Sequence, residues 1–175
     1  MTERWVAGEA EPVSFEDYVA TRSPALLRFA FLVTRNREDA HDAVQDALMG
    51  LYPRWQQVSA RGSVDAYVRR SVVNAAVSRW RRTRWTSPAA DPTVGASAPV
   101  TADPAVAIAD ADQALRLCAE LPPTQRAAVV LRFYEDRSFA EIAHILGVPE
   151  ATARSHVHRA LVSLRARLAG GRTDE

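Results

Sequence analysis

The stretch Ser138–Arg159, SFAEIAHILGVPEATARSHVHR, has the spacing of two short helices joined by a tight turn. Ser138 and Glu141 stand in the S-x-x-E arrangement of a capping box, which satisfies two free amide groups at a helix start. Ile142, Ala143, Ile145 and Leu146 supply an apolar face. Gly147 then offers the left-handed residue that ends a helix and permits a sharp turn. Val148 plugs the gap beneath that turn, and Pro149 suits the first position of the next helix. Ala143 is small enough for close approach, while Ala153 and Val157 pin the second helix to the first. Thr152, Arg154, Ser155, His156, His158 and Arg159 are left projecting outward. A helix face of this width, rich in Arg, Ser, Thr and His, suits the DNA major groove.

Downstream, Ala160, Leu161, Leu164 and Leu168 continue the buried stripe of the second helix. Upstream, Thr124 to about Tyr134 reads as a helix. Leu121-Pro122-Pro123 stops an earlier one near Asp112–Glu120. The segment Thr86–Asp110 differs from both flanks: it carries four Pro, one Gly, no aromatic residue, and apolar residues that are mostly Ala. It cannot bury enough apolar surface to offset its ordering entropy, so it reads as a flexible linker. Fully extended, it would reach about 80 Å.

Before the linker a second helical module is expected. Ser14-Phe15-Glu16-Asp17 has a capping-box form and opens a short helix. Ser23-Pro24 reads as the N-cap and first position of another, running to about Val33. Asn36 caps a third, with Ala40, Ala43, Val44, Ala47, Leu48 and Leu51 on one stripe. Trp55–Gly62 reads as a loop. Ser63 caps a fourth helix, with Tyr67, Val73, Val77 and Trp80 inward and Arg69, Arg70, Arg79, Arg81 and Arg82 largely outward. The fold class is therefore all-α: two small helical domains, residues 13–84 and 112–170, joined by a linker over 85–111.

The chain has 175 residues and a formal net charge of +1, with every basic residue an Arg. That total conceals alternating blocks. Residues 1–60 hold six Arg and nine acids, net −3, and residues 61–84 hold seven Arg and one acid, net +6. Residues 85–153 hold four Arg and nine acids, net −5, and residues 154–172 hold five Arg and no acid. Two basic stretches in so short a chain point to an extended polyanion.

Other functions find less support. Cys118 is the single cysteine, which excludes an internal disulfide and a CxxC metal site. His156 and His158 lie on different helical faces with no further ligand at metal spacing. No phosphate-cradling glycine loop and no nucleophile–base pair appears, so no catalytic residue, metal or cofactor is expected. No apolar run is long enough to cross a bilayer, and Met1–Pro12 lacks the apolar core of a signal peptide. Membrane insertion is not expected, and a cytoplasmic location is.

Taken together, the two modules resemble the sigma-70 superfamily of bacterial RNA polymerase sigma factors, in its minimal two-domain, extracytoplasmic function (ECF, group 4) form. Residues 38–48, EDAHDAVQDAL, are similar to the region 2 helix with a D-x-V-Q-[DE] motif, and residues 65–74, DAYVRRSVVN, to the helix that follows it. Residues 121–134, LPPTQRAAVVLRFY, are similar to the LPxxxRxxxxLRxYE stretch of region 4, and its helix-turn-helix follows. The resemblance implies core RNA polymerase as partner. Asp39, Asp42, Gln45, Asp46 and Met49 would dock on the coiled coil of its largest subunit, and its flap region would meet the C-terminal domain. It implies a −10 promoter contact through Gln56, Gln57, Val58, Ser59, Arg61, Arg69, Arg70 and Asn74, capturing a flipped base of the non-template strand. It implies a −35 contact through Thr152, Arg154, Ser155, His156, His158 and Arg159. An anti-sigma factor is a further partner that the family allows. The alternative is a stand-alone helix-turn-helix transcription regulator, which leaves the acidic helix at 37–52 unexplained.

Overall fold

The computed structural model describes residues 14–86 and 118–170. Every regular element among them is helical. The expected 85–111 linker and most of the expected 112–120 helix lie outside the described residues.

Helix α1 spans Phe15–Thr34 and opens where Ser14 Oγ accepts the Asp17 amide at 3.0 Å. It is one helix, not the expected two, and Pro24 sits inside it. Tyr18, Leu26, Phe29, Ala30 and Val33 form one buried stripe across the proline, and that packing outweighs the local cost. The carbonyl that Pro24 cannot serve belongs to Ala20, which is exposed and open to water. Ser23 does not cap; its hydroxyl donates to the Val19 carbonyl at 2.6 Å. Arg35, left-handed at φ 64°, ends the helix.

Helix α2, Arg37–Leu51, starts where Asn36 accepts the Asp39 amide, and it buries Ala40, Ala43, Val44, Ala47 and Leu51 as the periodicity predicts. The expected loop at 55–62 is instead ordered. A 3₁₀ turn over Tyr52–Arg54 leads into a short helix α3, Trp55–Ser59. Aromatic packing holds it in place: Phe15 meets Tyr52 and Trp55 edge-on at 5.1 and 5.6 Å. Helix α4 runs Val64–Thr86 and buries Val64, Val68, Val72, Val73 and Ala76. Val77 and Trp80 are only half-buried.

After Leu121-Pro122, helix α5 covers Pro123–Val129 and continues as a π-helical turn over Val130–Tyr134. Helix α6, Phe139–Leu146, and helix α7, Glu150–Gly170, form the helix-turn-helix. Pro149 lies just before α7, where its carbonyl accepts the Thr152 and Ala153 amides at 2.9 and 3.0 Å. Ala153, Val157 and Ala160 are buried and Leu161 and Leu164 half-buried, but Leu168 is 46% exposed. The buried stripe therefore stops short of the predicted end, where Arg167 pairs with Glu120 beside the exposed Leu168.

One buried cluster crosses both halves of the chain. Residues of α1, α2 and α4 pack with Ala127, Ala128, Leu131, Ile142 and Ile145. Arg126 links the halves further. Buried at 7% exposure, it donates to the carbonyls of Cys118, Ala119 and Leu121, and across the seam to that of Val33 at 2.6 Å.

Candidate nucleic-acid interface

The helix-turn-helix has the geometry its sequence prescribes. Ser138 Oγ accepts the Glu141 amide at 3.2 Å, and the Glu141 carboxylate accepts the Ser138 amide at 2.8 Å. Burial alone would raise the Glu141 pKa, but the bonds from Ser138 and Arg137 outweigh it and hold the carboxyl below its usual value. Gly147 is left-handed at φ 69°, and its amide donates to the Ala143 carbonyl at 2.8 Å.

On α7, Arg154, Ser155, His158 and Arg159 are exposed, as expected. Arg154 pairs with Glu150 and lies over the Phe139 ring, 4.7 Å from its centre, so its guanidinium is pre-oriented. Thr152 and His156 differ from the expectation: both are half-buried. The Nδ1 atom of His156 is buried without a hydrogen-bond partner. Burial, then the charge of Arg159, pushes its pKa below the usual value, so it is a neutral ring at the flank of the face.

The residues expected at the −10 contact divide. Gln56, Gln57, Arg61 and Asn74 are exposed and Ser59 is half-buried. Val58 is buried and anchors α3 from beneath, so it offers no surface contact. Arg69 was expected to face outward and does not: it is 5% exposed. Its Nε donates to Glu135 at 2.9 Å and its Nη2 at 3.0 Å, a two-pronged pair. Asp65 lies 3.5 Å from Nη1 and also accepts the Tyr18 hydroxyl at 2.8 Å. Burial works against the charged guanidinium, but Glu135 and Asp65 more than compensate and raise its pKa. Arg70 reaches the carboxyl end of α6, where it donates to the carbonyls of His144 and, at 3.0 Å, Ile145. A cation there complements the partial negative charge of a helix C-terminus.

The expected polymerase-docking set also divides. Asp42, Gln45, Asp46 and Met49 are exposed at i, i+3, i+4 and i+7, on one face of α2. Asp39 is not free for a basic partner, because Arg79 pairs with it at 2.6 Å and the carboxyl is 13% exposed. Burial raises its pKa against the lowering effect of Arg79. Beside this face runs an apolar groove of about 570 Å³, lined by residues that include Phe15, Val19, Leu27, Leu48, Met49 and Tyr52. The groove was not foreseen. Its only sequence signal is the excess of large apolar residues on α1 and α2 beyond those the core takes up.

Comparison with known proteins identifies the family. Residues 18–86 match sigma-70 region 2, and residues 111–164 match sigma-70 region 4. The chain is 36% identical over 162 residues to the RNA polymerase sigma-E factor of Streptomyces avermitilis, covering 90% of this chain and 87% of that one. It is 34% identical over 166 residues to the ECF RNA polymerase sigma factor SigM of Mycobacterium tuberculosis, covering 94% and 79%. The chain belongs to the ECF sigma factors of the sigma-70 family. A solved structure of the sigma factor RpoE with the anti-sigma factor NepR from Bartonella quintana shares its fold. The TM-score is 0.66 at 23% identity, over 92% of this chain and 98% of that one. As a sigma factor, the protein binds core RNA polymerase and directs promoter-specific initiation of transcription.

Proposed function

We propose that this sigma factor reads the −35 element with the exposed face of α7 and the −10 element with the α3–α4 corner, and docks on core polymerase through α2. The observation that carries the assignment is the exposure of Arg154, Ser155, His158 and Arg159 on a helix seated firmly by Gly147, Ala153 and Val157. Thr152 and His156 flank this face and shape it rather than supply charge.

At the −10 element, Gln56, Gln57, Ser59, Arg61 and Asn74 line the accessible surface, with Arg69 and Arg70 behind them. Holding a base out of the stack costs a few kcal/mol, which amide, hydroxyl and guanidinium contacts offset. On α2, Asp42, Gln45, Asp46 and Met49 meet the basic coiled coil of the largest polymerase subunit. The polymerase flap region meets the C-terminal half. An anti-sigma factor, of the kind bound to the Bartonella quintana relative, is a further candidate partner. The protein acts by binding and positioning, in the cytoplasm, and leaves phosphodiester chemistry to the polymerase. No described helix is long and apolar enough to cross a membrane.

Run-off transcription with core enzyme tests the assignment. Arg159→Ala should weaken initiation at promoters with an intact −35 element and spare those that lack it. Equal loss on both would remove α7 from −35 recognition.

A further inference from the structure

Phe139 is the first residue of α6, and its ring does not go wholly into the core. It is half-buried, packed against the core cluster. Two guanidiniums lie over it: the Cζ atoms of Arg132 and Arg154 stand 5.2 and 4.7 Å from the ring centre. Like charges repel, so their convergence on one ring reflects the attraction of each to its negative face. The two cations differ in freedom. Arg132 belongs to the π-helical turn, is half-buried, and donates from Nη1 to the Arg137 carbonyl at 2.9 Å. Arg154 belongs to the recognition helix, and its side chain is exposed.

We propose that Phe139 is a positioning residue for −35 recognition, whose ring fixes the Arg154 guanidinium for contact with a base edge. This rests on the −35 reading given above and deepens it. Arg154 lies near the start of α7, the end of a recognition helix that meets base edges. Its long stem would otherwise be ordered only on binding, at an entropic cost. The ring lowers that cost beforehand. The ring is itself seated by the core and by the Ser138–Glu141 capping box at the same helix start, so the guanidinium takes a set place in the helix-turn-helix. An aromatic face attracts the charge without accepting a conventional hydrogen bond, so donors remain for a guanine edge. Glu150 takes one of them, from Nη2. That pair is exposed on both sides, 60% and 46%, so solvent screens it and a DNA acceptor replaces it at little cost. A phosphate contact tolerates a swinging Arg, whereas a base edge needs its fork held in one place. The ring under Arg154 thus favours sequence readout.

The test uses the full chain in reconstituted holoenzyme, with binding-site selection from promoters randomised at the −35 element. Phe139→Leu keeps an apolar side chain against the core but removes the ring, and Phe139→Tyr keeps the ring. Phe139→Leu should weaken binding to the selected −35 sequence by about two- to fivefold, the contribution of a guanidinium–ring contact at an exposed site. Phe139→Tyr should bind as the unaltered chain does. The loss should fall at the base position whose preference Arg154→Ala also relaxes, and a scrambled −35 element should show none. In an Arg154→Ala background, Phe139→Leu should cause no further loss. Equal loss on selected and scrambled elements, or equal loss with and without Arg154, marks a helix-turn-helix loosened as a whole and overturns the positioning role. Weak binding by Phe139→Tyr overturns it too. If Arg159→Ala alters the selected sequence while Arg154→Ala and Phe139→Leu leave it unchanged, the proposal falls and the −35 reading stands. If none of the three alters it, the −35 reading falls, and the proposal with it.

Discussion

Gly147→Ala probes the turn and the seam at once. Alanine in the left-handed region costs about 1 kcal/mol, and Gly147 has φ 69°. The new Cβ would also stand 3.1–3.3 Å from three atoms of the Arg70 guanidinium. That group is the end of a flexible side chain and can retreat, but only by loosening its bonds to His144 and Ile145. A hydrogen bond from a charged donor contributes about 1.5–3 kcal/mol when fully enclosed. Arg70 is half-buried, so roughly 1 kcal/mol is the appropriate share. The sum is about 2 kcal/mol. Urea unfolding of the full chain measures it, with the slope checked for constancy. Gly147→Asn separates the two contributions, because Asn tolerates the left-handed backbone yet still carries a Cβ. It should cost about 1 kcal/mol. In a double-mutant cycle, Gly147→Ala and Arg70→Ala should couple by about 0.5–1 kcal/mol, since the crowding vanishes once Arg70 is gone. Strict additivity would refute the reasoning: the cost would then be backbone strain alone, and Arg70 would not rest on the turn in solution.

Arg126→Met keeps the volume but leaves the Val33, Cys118, Ala119 and Leu121 carbonyls without their donor. It should lose about 3–5 kcal/mol in urea unfolding, well beyond Arg81→Met on the exposed side of α4. His156 has a folded-state pKa below its unfolded value, so it adds stability above about pH 6.5 that is lost as pH falls through the folded pKa. His156→Gln should flatten that acid-side slope in thermal melts, and an unchanged slope would assign it to other groups. On α2, Asp46→Arg places a cation on the exposed face. It should weaken core-polymerase binding at least tenfold in a pull-down titration, whereas Asp39→Asn, already paired inside the protein, should act chiefly on stability. At the −35 element, Arg159→Ala should cost about 1–3 kcal/mol and relax sequence preference if it meets a base edge, as a binding-site selection would reveal.

The elements legible in the sequence are those whose signals are local. The capping box of α6, the left-handed Gly147, the Asn36 cap and the stripe of α2 each depend on residues within a turn or two of one another. Region 2 and region 4 were recognisable for the same reason. What escaped depended on distant partners. Pro24 reads as a helix start, but the stripe from Tyr18 to Val33 continues through it because α2 and α4 cover that face. The polar run at 55–62 reads as a loop, yet Trp55 and Val58 fold it into a helical turn against Phe15 and the core.

Arg69 shows the limit most sharply. On α4 alone, an Arg beside Arg70 in a basic block belongs to the solvent face, and charged residues are rarely buried unless paired. Its partner, Glu135, lies 66 residues away in the other half, where the sequence marks it only as the acid closing an LRxYE motif. Burial of a charge implies a matching opposite charge, so the acidic block at 85–153 is not only a counterweight to the basic one. One of its members neutralises the basic block directly. Near-neutral net charge then has a structural meaning: part of the positive charge that DNA would attract is held inside the protein. Other cations stay at the surface, among them Arg154 and Arg159 on α7 and Arg81 on α4.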